Sequence, residues 1–275
     1  MTSRLAPRRR RNVVLTGLVA IALTAAFYWG QQALLRVDLI SGGMLLAAVW
    51  FLALLHLRKK LPSLPIGSVA SWLQVHLYVA VLSILVFGLH IGWKIPNGVL
   101  ETSLALFFVL VAGSGLCGLY LSRTIPKRLA NVGEEILYER IPFYRRGLQE
   151  QSRKIVLQAA AVADSPVLVD FYHAKLQTFL SRPRGWMYRI NPSSRRRRFL
   201  LAELQGLQRY LSDAERTLAE QLFAVVRKKD DLDYHEALQS VLRGWLWLHI
   251  GLTYPLLILG TLHGLIAWAF VGAAI

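Results

Sequence analysis

The chain has a single cysteine, Cys117, and few acidic residues: 16 Asp and Glu stand against 32 Lys and Arg among 275 residues. One cysteine excludes a disulfide scaffold and iron–sulfur ligation within the chain, and no Cys-x-x-Cys-His run is present to attach a c-type haem. Charged residues make up only 17% of the chain, whereas hydrophobic residues make up 55% and the mean hydropathy is +0.41. This composition excludes a disordered chain and is unusual for a water-soluble globular protein.

Five long apolar stretches, nearly free of charged residues, account for the hydrophobic content. Each is long enough to cross the roughly 30 Å hydrocarbon core of a bilayer as an α-helix. Phe27, Tyr28 and Trp29 extend the first stretch beyond the length of a signal-peptide core, so we expect an uncleaved membrane anchor. The sequence therefore predicts five transmembrane helices in a bundle, at residues 13–30, 39–57, 69–93, 100–121 and 245–271.

The distribution of basic residues predicts the orientation of these helices, because Lys and Arg in short loops stay on the cytoplasmic side of a membrane. Basic residues precede the first stretch and follow the second and the fourth, whereas the opposite loops carry only Arg36 and Lys94. With the N-terminus inside, all but these two of the 32 cations lie on the cytoplasmic side. We expect a multi-pass protein of the cell inner (cytoplasmic) membrane with its C-terminus outside.

The longest polar stretch, residues 122–244, separates the fourth and fifth apolar stretches and carries 22 Lys and Arg against 14 Asp and Glu. Its leucines recur at helical spacing from Leu200 to Leu211, and Ser212 and Glu215 fit a capping box that begins another helix. We therefore expect an all-α integral membrane protein with a helical cytoplasmic insertion. Its predicted parts are a basic cytoplasmic N-terminus (1–12), transmembrane helices 1–4 (13–121), a basic helical cytoplasmic domain (122–244), and transmembrane helix 5 with a short outer C-terminus (245–275).

The basic runs of this insertion, above all the four arginines at 195–198, could neutralise the phosphates of a nucleic acid. A polybasic segment tethered beside transmembrane helices meets anionic lipid headgroups first, at about 1 kcal/mol per basic residue near the surface. The sequence therefore predicts anionic lipid at the inner face as a partner, and no nucleic acid.

Four of the seven histidines lie in two apolar stretches as equally spaced pairs, His76 with His90 and His249 with His263. Fourteen helical residues return to within about 40° of the starting direction and separate the two side chains by about 21 Å. Each helix thus presents two imidazoles from one side, one towards each face of the membrane. Because both helices run from inside to outside, we expect His76 to face His249 and His90 to face His263.

Two imidazoles opposed across a gap between helices match the two axial ligands of a haem iron, because the porphyrin supplies the other four ligands. Zinc requires three or four protein ligands, and the third and fifth stretches contain no Asp, Glu or Cys. A simpler alternative is that each histidine only forms a hydrogen bond to a neighbouring helix.

The pairs His76-x13-His90 and His249-x13-His263 resemble those of di-haem membrane b-type cytochromes, in which histidines 13 or 14 residues apart on two helices hold two haems. Their positions on the third and fifth spans are similar to the transmembrane core of ferric reductases and NADPH oxidases. The resemblance covers under half of the chain, about residues 69–121 and 245–271. It implies an inner haem b held by His76 and His249 and an outer haem b held by His90 and His263. The sequence departs from that core in having no sixth span, no flavin or nicotinamide module and a 123-residue polar insertion, so NAD(P)H oxidation is not expected.

The function expected from this resemblance is electron transfer across or within the membrane, as a subunit of an oxidoreductase complex rather than as a stand-alone enzyme. Redox partners would be an iron–sulfur, c-type haem or flavin protein, together with a quinone. Lys94 is one of the cations that could pair with haem propionates, and His56 could hydrogen-bond a quinone head group. His173 and His235 lie in polar helices, where we expect them to be solvated. The alternative function is a non-redox membrane adaptor whose basic inner domain recruits a soluble partner or anionic lipid.

Overall fold

A computed structural model describes residues 5–60, 67–132, 136–162 and 166–272. Within these ranges the chain forms helices and turns, with no β-strand. Four long helices come first: α1 (Leu5–Gln32), α2 (Val37–Lys60), α3 (Val69–His90) and α4 (Val99–Ala130). Shorter helices follow: α5 (Ile141–Val162), α6 (Val167–Phe171), a π-helical turn (Tyr172–Leu176), α7 (Gln177–Ser181), α8 (Trp186–Ile190) and α9 (Arg195–Leu207). The last helix, α10, runs from Asp213 to Gly272.

Five helices, α1 to α4 and α10, are long and apolar enough to span a membrane. Only 6% to 22% of the residues in their most apolar windows are buried within the protein. So much uncovered apolar surface is rare in a water-soluble monomer and is typical of helices that face lipid. The helical fold class and the five apolar helices agree with the prediction from the sequence.

The residues divide into two compact units, and each is described by itself: the first contains residues 1–116 and 248–275, and the second contains residues 117–247. In the first unit, α1, α2 and α3 pack on one another. Phe87 of α3 stacks on Phe108 of α4 with ring centroids 4.1 Å apart. The indole Nε1 of Trp50 in α2 donates to Thr261 Oγ1 in α10 at 3.2 Å. These contacts make the first unit a helix bundle.

The second unit has a conventional apolar core. The predicted leucine pattern is confirmed, because Leu200, Leu204 and Leu211 are buried in this core and Leu207 packs against it. The predicted capping box is also present: the Ser212 backbone N–H donates to Glu215 Oε2 at 2.9 Å, and the Glu215 N–H donates to Ser212 Oγ at 3.4 Å. The capped helix is longer than predicted, because α10 continues without interruption through the apolar stretch that begins at Trp245.

Charged side chains lie buried beside this core. Lys229 is fully buried, and its Nζ donates to both carboxylate oxygens of Asp233 at 2.5 and 2.7 Å. Asp233 also accepts from Arg184 Nε at 3.2 Å, and Arg184 pairs in addition with Asp230. His235 is 2% exposed, so the expectation of a solvated side chain is wrong: the helix turn that carries it faces the interior. His173 is exposed, as expected.

Candidate functional site

His90 occupies the last residue of α3 because the chain turns sharply after it. Gly92 and Trp93 both adopt left-handed backbone conformations, with φ values of +60° and +56°. The Trp93 N–H donates to the Gly88 carbonyl at 3.0 Å, and the Gly92 N–H donates to the Leu89 carbonyl at 3.2 Å. This is the Schellman arrangement that ends many helices, and the glycine provides the left-handed residue it needs. The turn thereby holds the His90 ring at the end of α3.

The Nδ1 atom of His90 lies 2.9 Å from the hydroxyl oxygen of Ser41 in α2. Ser41 is itself buried, and its hydroxyl donates its one proton to the Asp38 carbonyl at 3.1 Å. We therefore assign the hydrogen bond as one in which the His90 Nδ1–H donates to Ser41 Oγ. In a neutral imidazole this assignment puts the lone pair on Nε2, the nitrogen then available to a metal ion.

His249 in α10 has the same arrangement with a serine from a different helix. Its Nδ1 lies 2.7 Å from the hydroxyl oxygen of Ser114 in α4, and that hydroxyl donates to the Val111 carbonyl at 2.8 Å. By the same reasoning the His249 Nδ1–H donates, and the lone pair of the neutral ring is on Nε2. A Cβ added to Gly115 would lie 3.7 Å from His249 Cε1, in ordinary contact with the ring.

His90 and His263 line one cavity of about 410 Å³ in the first unit. Its walls come from α2, α3, α4, α10 and the loop after α3, and they are mainly apolar, with Leu46, Phe87 and Leu104 among them. Polar side chains from the loop after α3 and the first turn of α4 also line the cavity: Lys94, Asn97 and Glu101. Cofactor sites usually measure about 300 to 1,000 Å³ and combine apolar walls with a few polar groups.

Glycines bring helix backbones close to this cavity. Gly42 and Gly260 both line it, and a Cβ added to Gly42 would lie only 3.1 Å from His90 Cε1. Any side chain at position 42 would therefore press on the His90 ring. The neighbouring Gly43 has nothing within 4 Å of such an added atom.

The structure thus brings His90 and His263, the predicted outer pair, to one cavity. For the predicted inner pair, His249 is oriented by Ser114, and His76 lies half-buried on α3. The side chain of His56 lies outside the described residues. No group of three or more His, Cys, Asp or Glu that could hold a metal ion occurs among the described residues.

Sequence reasoning did not predict the hydrogen bonds that Ser41 and Ser114 form with the histidines. Serines are common in membrane helices, and neither lies near its histidine in the sequence. The only sequence signal is that each lies in an apolar stretch next to glycines, within Ser41-Gly42-Gly43 and Gly113-Ser114-Gly115.

Comparisons with known proteins give no relative for this site: no protein family, no curated protein and no solved structure matches the chain. Its function must be inferred from its own residues.

Proposed function

We propose that the protein is a di-haem b-type cytochrome subunit of the inner (cytoplasmic) membrane. His90 and His263 would hold one haem as axial ligands, and His76 and His249 would hold a second. The observation that carries this proposal is the cavity between α3 and α10 that both outer histidines line. The proposed topology has the N-terminus and residues 122–244 in the cytoplasm.

The residues around the outer pair fit a haem in three respects. The cavity of about 410 Å³ is of cofactor size and mainly apolar. Ser41 orients His90 so that its Nε2 carries the lone pair that iron requires. Lys94, in the loop after α3, lines the cavity and could form an ion pair with a haem propionate.

The inner pair is proposed on its spacing and on one contact. His76 and His249 repeat the 14-residue interval to the outer histidines, and Ser114 orients His249 as Ser41 orients His90. Two histidines on different helices therefore form the same kind of hydrogen bond, from Nδ1 to a serine hydroxyl. Interactions of this kind fix the orientation of a ligating imidazole and raise its basicity as a ligand.

Bound haem supplies one-electron transfer. The residues of this chain bind it, orient its ligands, and surround it with apolar walls that exclude water and tune its reduction potential. Beyond the two haems, we assign no redox group to the described residues, so we place the electron donor and acceptor outside this chain. We propose a quinone and a partner subunit that carries an iron–sulfur cluster, a c-type haem or a flavin.

The test is the optical spectrum and haem content of the full-length protein purified in detergent from haem-replete cells. We expect a reduced-minus-oxidised spectrum of the low-spin b type and two haems per chain. A colourless preparation that remains helical and monodisperse would contradict the proposal and favour the membrane adaptor. One haem per chain would contradict the assignment of the inner pair.

A further inference from the structure

We propose that one surface of the second unit, formed by residues 182–198, docks on anionic phospholipid. This inference goes beyond electron transfer and does not depend on haem. We call these residues the arginine-rich segment: they contain seven arginines and no Asp or Glu.

Near each of its two ends, the arginine-rich segment forms ion pairs with α10. At one end, Arg184 pairs with Asp230 and Asp233, and the Arg182 carbonyl accepts from Lys229 Nζ at 3.3 Å. At the other end, Arg197 Nη1 lies 3.4 Å from Asp230 Oδ2 and 3.3 Å from Asp231 Oδ1. Two of the seven arginines therefore neutralise buried carboxylates and hold the segment in place.

The remaining five arginines are exposed: Arg182, Arg189, Arg195, Arg196 and Arg198. None of them forms an ion pair with a carboxylate of the described residues, and Arg196 lies over the Phe179 ring at 5.7 Å. Along the chain they flank the short helix α8: Arg182 precedes it, Arg189 lies within it, and the other three follow it at the start of α9.

Helix α8 turns its apolar side outward. Trp186, Met187 and Ile190 are 70%, 69% and 71% exposed, and their spacing places them on neighbouring positions of the helix surface. Tyr188 faces inward instead, with the Arg184 guanidinium 4.3 Å from its ring centre, and its burial raises the pKa of the phenol. The segment therefore combines three exposed large apolar side chains with five exposed arginines that form no ion pair among the described residues.

A bilayer interface fits this surface better than a nucleic acid does. Trp is favoured at membrane interfaces, apolar side chains insert between headgroups, and arginines attract anionic lipid. Nucleic acids would also attract the arginines, but single strands bind through aromatic stacking, which Met187 and Ile190 cannot supply. The five apolar helices of the same chain keep this surface close to a bilayer, which raises its effective concentration there.

The experiment uses the full chain in lipid nanodiscs. In a Cys117→Ser background, Met187→Cys carries an environment-sensitive fluorophore, and discs of phosphatidylcholine are compared with discs that also contain phosphatidylglycerol. In discs that contain phosphatidylglycerol, we expect the emission to shift to the blue and to be quenched by doxyl-labelled lipid. Neither effect is expected with phosphatidylcholine alone, and added salt should weaken both. The matched control is Ala214→Cys, another exposed position of the second unit that lies beside acidic residues, where neither effect is expected.

Variants that change the charge of the arginines test whether attraction to anionic lipid, rather than exposure of the apolar side chains alone, causes docking. Replacing Arg189, Arg195 and Arg198 by Gln should lower the docking equilibrium about fivefold for each arginine, and replacing them by Lys should preserve it. Because all three are exposed, these variants should fold, and circular dichroism checks that they do. Equal emission in both kinds of disc would overturn the proposal, and so would a shift produced by added RNA or by an acidic polypeptide but not by phosphatidylglycerol. Haem content is measured in parallel, so that failure of docking and failure of the proposed function are distinguished.

Discussion

The two units of the molecule differ in the polar groups that they bury. The buried charged residue of the first unit, among those described, is Arg58, whose Nη2 donates to the Gly67 carbonyl at 2.8 Å, whereas the second unit buries several charges together. In the first unit, the half-buried imidazoles of His90 and His249 each form a hydrogen bond with a serine hydroxyl. In the second unit, Lys229 and Asp233 are buried as charges within a network that also contains Arg184. Every ion pair among the described residues belongs to the second unit.

The apolar helices of the first unit, which are suited to span a membrane, offer a physical reason for this difference. An ion is costly in hydrocarbon, so polar groups in membrane helices are few, and those that remain usually serve a function. In a water-exposed domain, buried charges are tolerated when each one is paired and hydrogen-bonded. The histidines of the first unit are therefore candidates for function, whereas the charges of the second unit have a structural explanation.

The largest expected effect comes from breaking the charge network. Asp233→Ala removes the carboxylate that Lys229 and Arg184 share and leaves a fully buried ammonium without its main partner. We expect the second unit to lose about 3–5 kcal/mol of stability, as for other buried ion pairs that lose one member. Thermal unfolding and protease sensitivity of residues 117–247 measure this loss.

The control for that variant is Asp213→Asn, at a carboxylate that is almost fully exposed and pairs with the exposed Arg216. Exposed pairs contribute little, so its unfolding temperature should stay close to that of the wild type. Equal losses in the two variants would show that the network is not what stabilises the second unit.

A smaller effect is expected from the serines that orient the histidines. Ser41→Ala removes the hydrogen-bond partner of His90, and Ser114→Ala removes that of His249. We expect each variant to lower haem affinity by about 10- to 100-fold at its own site. Haem titration and redox potentiometry of the purified protein measure the change.

Ser83→Ala is the matched control, because Ser83 is a buried serine of α3 whose hydroxyl donates to the Ala80 carbonyl of its own helix at 2.8 Å. Haem affinity and potentials should be unchanged in this variant. An equal effect of Ser41→Ala and Ser83→Ala would mean that the His90 contact has no special role.

The smallest expected effect concerns the space beside His90. Gly42→Ala places a methyl group about 3.1 Å from His90 Cε1, which is tight enough to turn or displace the ring. We expect a shift in the spectrum and potential of the outer haem alone. At the neighbouring Gly43, an added Cβ has nothing within 4 Å, so Gly43→Ala should leave the spectra and potentials of both haems unchanged. A shift in the inner haem with Gly42→Ala would contradict the assignment of the pairs.

The five apolar helices could be predicted because a bilayer imposes both a length and a composition. Their ends could not, since hydropathy detects only the apolar part of a helix. The helix α1 includes the arginines at 8–11, and α10 begins at Asp213, more than 30 residues before its apolar part. Neither Arg243 nor Gly244 stops that helix, so the domain boundary predicted at residue 244 lies within a continuous helix.

The histidine spacing could be recognised from the sequence because it depends only on helix geometry. The serine partners could not, because each comes from a helix far away in the chain. His235 was predicted wrongly. Its polar sequence neighbours indicated a solvent-exposed side chain, but His235 is buried, as are Asp230 and Asp233 of the charge network on the same helix. Sequence polarity does not distinguish a solvated face from a buried ionic one.

The pairing of the four histidines is the central claim, and haem content in two double variants tests it most directly. Removing one whole pair, as in His90→Ala with His263→Ala, should leave one haem per chain. Removing one member of each pair, as in His90→Ala with His249→Ala, should leave none. Equal haem content in these two folded variants would contradict the account.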